Sequence, residues 1–173
     1  VVFGPSALGL ETAALGVVLG LGGFLFGHTV GLHRGVIHRS FRMSTGLRGA
    51  LTYLFVFIGL GGPLSWMRIH AQRDRWQNAE DAPAWFRYDH GLLQDFWWNL
   101  HTVYLEPDAD DLRPRDRNDR WLRFLQRTWA LHVIGHFALL YALLGWDHLI
   151  ISGFARVFIG LLGHWYVGYE AHK

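Results

Sequence analysis

The run WALHVIGHFALLYALLGW at Trp129–Trp146, the polar pair Asp147 and His148, and the run LIISGFARVFIGLLGHWYVGY at Leu149–Tyr169 decide the fold. The two runs hold 18 and 21 residues. At about 1.5 Å of rise per residue, each can cross a hydrocarbon core of ~30 Å as an α-helix. Joined by two residues, they read as a tight helical hairpin through a bilayer. A third apolar stretch, Ala7–Gly27, is interrupted only by Glu11 and Thr12 and again reaches 21 residues. It lacks the basic start and the small-residue cleavage site of a signal peptide, so it reads as a span. The predicted fold is all-α: an integral membrane helical bundle with a cytoplasmic helical cap.

Composition agrees. The chain of 173 residues has room for one domain, and 51% hydrophobic against 17% charged residues, with mean hydropathy +0.13, excludes a disordered class. Nine Trp and twelve Phe suit interfacial belts. Trp66, Trp76, Trp85, Trp97, Trp98, Trp121 and Trp129 flank the apolar runs and read mostly as interface anchors. Cysteine is absent, which excludes disulfides, thiolate-ligated haem, iron–sulfur clusters and cysteine nucleophiles. Metal chemistry must therefore use nitrogen and oxygen donors. Residue 1 is not Met, and the chain reads as part of a longer protein.

The net charge of +2 and pI near 9.2 come from Arg interleaved with Asp beside apolar runs, a pattern of membrane sidedness rather than of a nucleic-acid surface. Of the 16 Lys and Arg, 14 fall between Arg34 and Arg127, which places that region in the cytoplasm. The first span then runs inward, the next outward and the last inward, so His172 emerges on the side of His33, His38 and His70. The 16 apolar residues Gly49–Leu64 are short for a crossing. They are expected to form an interfacial or buried helix that stays inside, since a crossing would carry His70 to the opposite face. DADDLRPRDRNDR at Asp108–Arg120 reads as a solvated connector. Arg156 lies about seven residues into the last span, where a charge needs a partner; Glu11 is the candidate, with snorkelling to the outer interface as the plainer alternative.

Directly after the first span, His28, His33 and His38 recur at intervals of five. On an ideal α-helix five steps turn about 500°, aiming His33 and His38 roughly 140° apart. Such a pair grips one ion poorly but can flank two, the arrangement of two-metal sites. Single interfacial histidines ordinarily bond backbone or headgroups; three within eleven residues, each beside charge or Gly, favour a metal.

GLHRGVIHRSFRM at 31–43 resembles the first histidine box, H-x(4)-H followed by Arg-Ser/Thr-Phe/Tyr, of the membrane fatty acid desaturases of acyl-CoA and acyl-lipid type. SWMRIHAQRDRWQ at Ser65–Gln77 falls where the second box belongs, DFWWNLH at Asp95–His101 resembles the entry to a span, and GHWYVGYEAH at Gly163–His172 resembles the end of the last. The resemblance covers essentially the whole chain, so residues 1–173 read as one partial desaturase domain, closest to a bacterial branch. It implies an enzyme of the bacterial inner membrane whose cytoplasmic histidines hold two non-haem iron ions. Such an enzyme uses O2 and two electrons to desaturate a fatty acyl-CoA or acyl-lipid. Electrons would come from a separate ferredoxin, small cytochrome or reductase, since no dinucleotide or haem motif is present.

Carried over residue by residue, the implied ligands are His33, His38, His70 and His172. Two positions of the second box, His in the family, are here Arg73 and Asp74. Arg cannot ligate a cation; Asp74 can serve as a ligand or as the acceptor for a ligating His, with Arg73 as its ion partner, and a plain surface pair is the alternative. The family's polar Asn before the last ligand is here Gly168, and the third box is expected beyond Lys173. His28, His90, His101 and His164 are candidates for supporting roles.

Three alternatives accompany this reading. A histidine-box hydroxylase shares the hydrogen abstraction, and Arg39-Ser40-Phe41 favours the desaturase. A non-catalytic or degenerate member, or a bis-histidine haem anchor using His132 or His136 with His164, is the second. A soluble carboxylate di-iron bundle is disfavoured because no Glu is followed three residues on by His.

Overall fold

The computed structural model describes residues 9–77, 79–101 and 112–173, and among these it is helical, with no strand. In chain order the elements are α1 (Leu10–Gly22), its continuation π1 (Gly23–Ile37), α2 (Thr45–Val56), α3 (Pro63–Trp76), α4 (Ala84–Arg87) and α5 (Leu92–His101). After these come α6 (Pro114–Arg117), α7 (Arg120–Leu144), α8 (Trp146–His148), π2 (Leu149–Ala155) and α9 (Arg156–His172). Three continuous helical rods are long and apolar enough to cross a membrane: Leu10–Ile37, Arg120–Leu144 and Trp146–His172. The all-α membrane reading holds, but the boundaries move. The first rod does not stop at Gly27; it carries His28 and His33 with it. The hairpin turns at Gly145, whose φ of +86° only glycine adopts freely, two residues before the expected break.

The first and last rods pack closely. Ser152 Oγ donates to the Thr12 carbonyl at 2.8 Å, and a Cβ on Gly16 would stand 3.4 Å from the Ser152 Cα. Small residues allow this approach, as between membrane helices generally. The contact between π1 and α2 is tighter. A Cβ on Gly27 would lie 2.5 Å from the Phe55 nitrogen, and one on Gly31 would lie 2.8 Å from the Leu51 Cβ. Two glycines four residues apart therefore let two backbones touch.

The stretch expected as one helix over Gly49–Leu64 is broken instead. Ser44 caps α2 by accepting from the Leu47 N–H at 3.2 Å. The helix then ends at Val56, and Gly59 and Gly61, both at φ +87°, reverse the chain before Pro63 opens α3 at a position that needs no N–H. The excursion goes out and comes back, so His70 returns to the end where His33 and His38 lie. Leu32, Val36, Phe55, Ile58, Trp66, Met67, Leu112 and Leu122 form the core between π1, α2, α3 and the start of α7. Burying a side chain the size of Phe55 is worth roughly 1.5–3 kcal/mol. Trp66, expected as an interface anchor, belongs to this core at 9% exposure.

Two charge expectations are corrected here. Arg156 does not pair with Glu11: its Nε donates to the Ser152 carbonyl at 2.8 Å and its Nη1 to the Phe57 carbonyl at 3.1 Å, while Glu11 is exposed. Phe57 ends α2, whose last carbonyls lack helical partners and carry partial negative charge, so the helix end stands in for the carboxylate. The loop Asp108–Arg120 lies partly outside the described residues, at 108–111. The rest of it is not simply solvated. Asp116 is 4% exposed and pairs with Arg39 at 3.3 Å. Asp119 caps α7, accepting from the Trp121 and Leu122 N–H groups at 2.9 Å, and meets Arg48 at 2.7 Å. Partial burial pushes the Asp119 carboxyl up, but these donors and Arg48 outweigh it and hold it below the usual carboxylate range.

Candidate metal centre

Five-residue spacing aims side chains apart on an α-helix but not on π1. In a π-helix each N–H bonds the carbonyl five residues back, and here the His38 N–H donates to the His33 carbonyl at 3.0 Å. One hydrogen-bonded turn therefore separates His28 from His33 and His33 from His38. The rings follow: His28 and His33 stack with centroids 5.8 Å apart and planes 3° from parallel, and the Nε2 atoms of His33 and His38 face each other at 3.1 Å. The 140° divergence expected from an α-helix does not occur, because the backbone register that produced it is not the one adopted.

The second arm comes from α3. His70 lies with its ring centroid 4.8 Å from His33 and 5.2 Å from His38. One donor atom from each of His33, His38 and His70 lies within 4.8 Å of the others, a grouping that can hold a metal ion. Two imidazole nitrogens on one ion at ~2.1 Å each, at right angles, stand about 3 Å apart, which matches the His33–His38 separation. Three neutral imidazoles suit a first-row transition metal.

His70 is 8% exposed. Burial first, then neighbouring His33, His38 and Arg73, push it down to about 4, with Asp74 pulling the other way. Its ring is therefore neutral at physiological pH and keeps a lone pair for a metal. Asp74 Oδ2 stands 3.1 Å from His70 Nδ1, close enough for electrostatics, yet the orientation makes no hydrogen bond and Nδ1 has no hydrogen-bond partner.

A cavity of ≈ 580 Å³ opens beside the cluster, and its wall includes His28, His164, Arg73, Asp74 and His172. His172 is brought to the cavity but not into the three-histidine grouping. Its Nδ1–H donates to the Gly168 carbonyl at 2.5 Å, which leaves Nε2 as the nitrogen with the free lone pair, and its ring stacks on Tyr88 at 5.2 Å. His28 and His164 meet at 4.7 Å, and the His28 Nε2 is buried without a hydrogen-bond partner. Burial raises the Tyr88 hydroxyl, and Arg73 offsets part of that rise.

Other histidines go elsewhere. His90 Nε2 bonds Asp95 Oδ1 at 2.7 Å; the buried Asp95 also accepts from Trp165 Nε1 at 2.6 Å and Asn99 Nδ2 at 2.9 Å, tying α5 to α9. His101 is exposed, stacked on Trp97 at 3.8 Å. His132 bonds Thr128 and Tyr53, at 3.0 and 3.4 Å, whereas His164 faces His28. His136 lies against Phe57 at 5.1 Å.

Sequence reasoning missed two residues of the site. Trp66 packs edge-on against His28 at 4.5 Å and lies 5.2 Å from His70; its position four residues before His70, on the same helical face, is a signal that could have found it. Tyr88, held at a left-handed φ of +55°, sits between His90 and His172 with no local signature. A non-glycine residue there costs about 1–3 kcal/mol, a strain found most often at ligand sites.

Among curated proteins, the chain is similar to the Delta-9 desaturase-like 2 protein of Arabidopsis thaliana, 29% identical over 154 residues, 83% of this chain and 48% of that protein. It is similar to the acyl-CoA C20 Delta5-desaturase of Anemone leveillei, 27% identical over 164 residues, 86% and 48% of the two chains. It is also similar to the sn-1 stearoyl-lipid 9-desaturase of a Synechocystis strain, 26% identical over 156 residues, 85% and 46%. No family model and no solved structure matches. The chain spans about half the length of the curated relatives it matches. These relatives are named desaturases, so the resemblance carried by the histidine motif extends over about 85% of the chain.

Proposed function

We propose that this chain forms the membrane-spanning, histidine-bearing part of an oxygen-dependent fatty acyl desaturase, an oxidoreductase of lipid metabolism. The observation that carries the reading is the convergence of His33, His38 and His70 from two separate helices through the π-helical turn. Histidines merely bonding headgroups would have no reason to meet.

In this reading His33, His38 and His70 hold iron, and His172, its Nδ1 already committed to Gly168, turns Nε2 toward the same cavity as a further ligand. Asp74 steers His70 electrostatically, as carboxylates beside metal-bound imidazoles do. With iron bound, the site would use O2, two electrons and two protons to take two hydrogens from adjacent methylenes, leaving a double bond and two waters. The protein's own task is to hold the acyl chain and exclude water. A second cavity of ≈ 550 Å³ shares Arg73, His164 and Gly168 with the first and is lined by Leu60, Phe96, Phe158 and Leu161. Such apolar walls suit an acyl chain, whether carried by CoA or by a lipid. The Arg-rich segments support a cytoplasmic histidine end, which in this reading takes electrons from an acidic carrier such as a ferredoxin, or from a small cytochrome or reductase.

The test is expression of the full-length protein in a host lacking its own desaturase, with fatty acids profiled by mass spectrometry. A new monounsaturated acid that disappears with His33→Ala supports the reading. A hydroxylated acid in its place would assign the hydroxylase, and an unchanged profile with folded protein and an electron donor present would refute catalysis.

A further inference from the structure

Of the three grouped histidines, His70 is buried inside α3, His33 is half-buried within π1, and His38 is exposed. His38 closes π1, so no further helical turn holds it. The chain reverses at the next residue. Arg39 has a φ of +50°, the left-handed conformation that helix ends ordinarily give to glycine. The Ser40 N–H then donates to the Arg34 carbonyl at 2.9 Å and completes the turn. A Cβ disfavours this conformation, so an arginine there points to a task for its side chain. Arg39 Nη2 donates to both carboxylate oxygens of Asp116, at 3.4 and 3.3 Å, across 77 positions of sequence.

Asp116 lies on α6 and is 4% exposed. Packing alone does not tie that helix to the end of π1, since His38 and Asp116 both line a cavity of ≈ 230 Å³. A fully exposed ion pair contributes little. Here the carboxylate is buried, and a buried charge resists losing its partner. The neighbouring carboxylate, Asp119, pairs instead with Arg48 on α2 at 2.7 Å and holds no residue of the histidine grouping.

Resting on the metal-bearing reading of His38 above, we propose that Asp116 is a positioning residue for His38. Through Arg39 it anchors the turn that follows π1, and so fixes where the exposed imidazole stands relative to His33 and His70.

The experiment is Co(II) titration of the full-length protein in lipid nanodiscs, with affinity read from the cobalt d–d absorption and thermal unfolding followed in parallel. Asp116→Asn is expected to weaken Co(II) binding about 10-fold, the lower end of what a ligand's supporting partner contributes. Arg39→Gly, which suits the left-handed turn but has no guanidinium, should weaken it equally, and the double variant no more than either alone. Asp119→Asn should lower the unfolding temperature and leave Co(II) affinity unchanged. Unaltered affinity in folded Asp116→Asn, additive losses in the double variant, or an equal loss in Asp119→Asn would each overturn the inference and leave the metal reading standing. No Co(II) bound by the unaltered protein would overturn both. If Asp116→Asn does not fold, Arg39→Gly set against Asp119→Asn decides.

Discussion

The two sides of the cavity use the same residue type to different effect. On one side His33, His38 and His70 bring donor atoms within 4.8 Å of one another, with the Asp74 carboxylate beside His70. On the other, His28 and His164 also meet, at 4.7 Å, yet belong to no grouping of three donors among the described residues. Imidazole density alone does not make a metal site. What separates the two clusters among the described residues is the third donor and the carboxylate beside His70.

The comparison breaks most sharply at the ligands. His70→Ala should weaken metal binding more than ~100-fold, beyond the 10–100-fold typical of a partner that only steers a ligand, and abolish product. His28→Ala, outside the three-histidine grouping, should leave the metal count unchanged. Equal losses at both positions, read by metal titration, would erase the distinction. Asp74→Asn sharpens the same contrast one step out. It should cost about 10–100-fold in metal affinity with the fold intact; a folded variant with unaltered affinity would reduce Asp74 to a surface charge.

The frame can be separated from the ligands. Gly27→Val places a side chain on the Phe55 backbone and should destabilise the protein by about 1–3 kcal/mol. Gly22→Val, where a Cβ meets nothing within 4 Å, should unfold in detergent at close to the unaltered temperature. The smallest effect is at the entry to α7. Asp119→Ala should cost about 1 kcal/mol through loss of the cap. Because the folded carboxyl is held below its ordinary range, this contribution is present at neutral pH and lost as pH falls through the folded value. The variant and the unaltered protein should therefore converge in stability in acid, measurable by thermal scans across pH.

The spans and the histidine motif were legible in the sequence because hydropathy is additive along a chain and the box is a local string. The way His33 and His38 meet was not. The 140° divergence assumed 3.6 residues per turn, and the hydrogen-bond register that replaces it leaves no mark on hydrophobic periodicity. Arg156 misled for a related reason. A buried cation suggests a carboxylate, but the free carbonyls of a helix that ends inside the protein serve as well, and where α2 ends depends on the glycine reversal at 59 and 61. Asp116 and Asp119 looked like a solvated run because their partners, Arg39 and Arg48, lie more than seventy residues away.

The central claim is that His33, His38 and His70 share one metal ion. X-ray absorption at the iron edge of the reconstituted full-length protein counts imidazole rings around the metal. The account predicts at least three ring contributions, reduced by one in each of His33→Ala, His38→Ala and His70→Ala wherever iron remains bound. Iron bound with an identical spectrum in all three variants would contradict it.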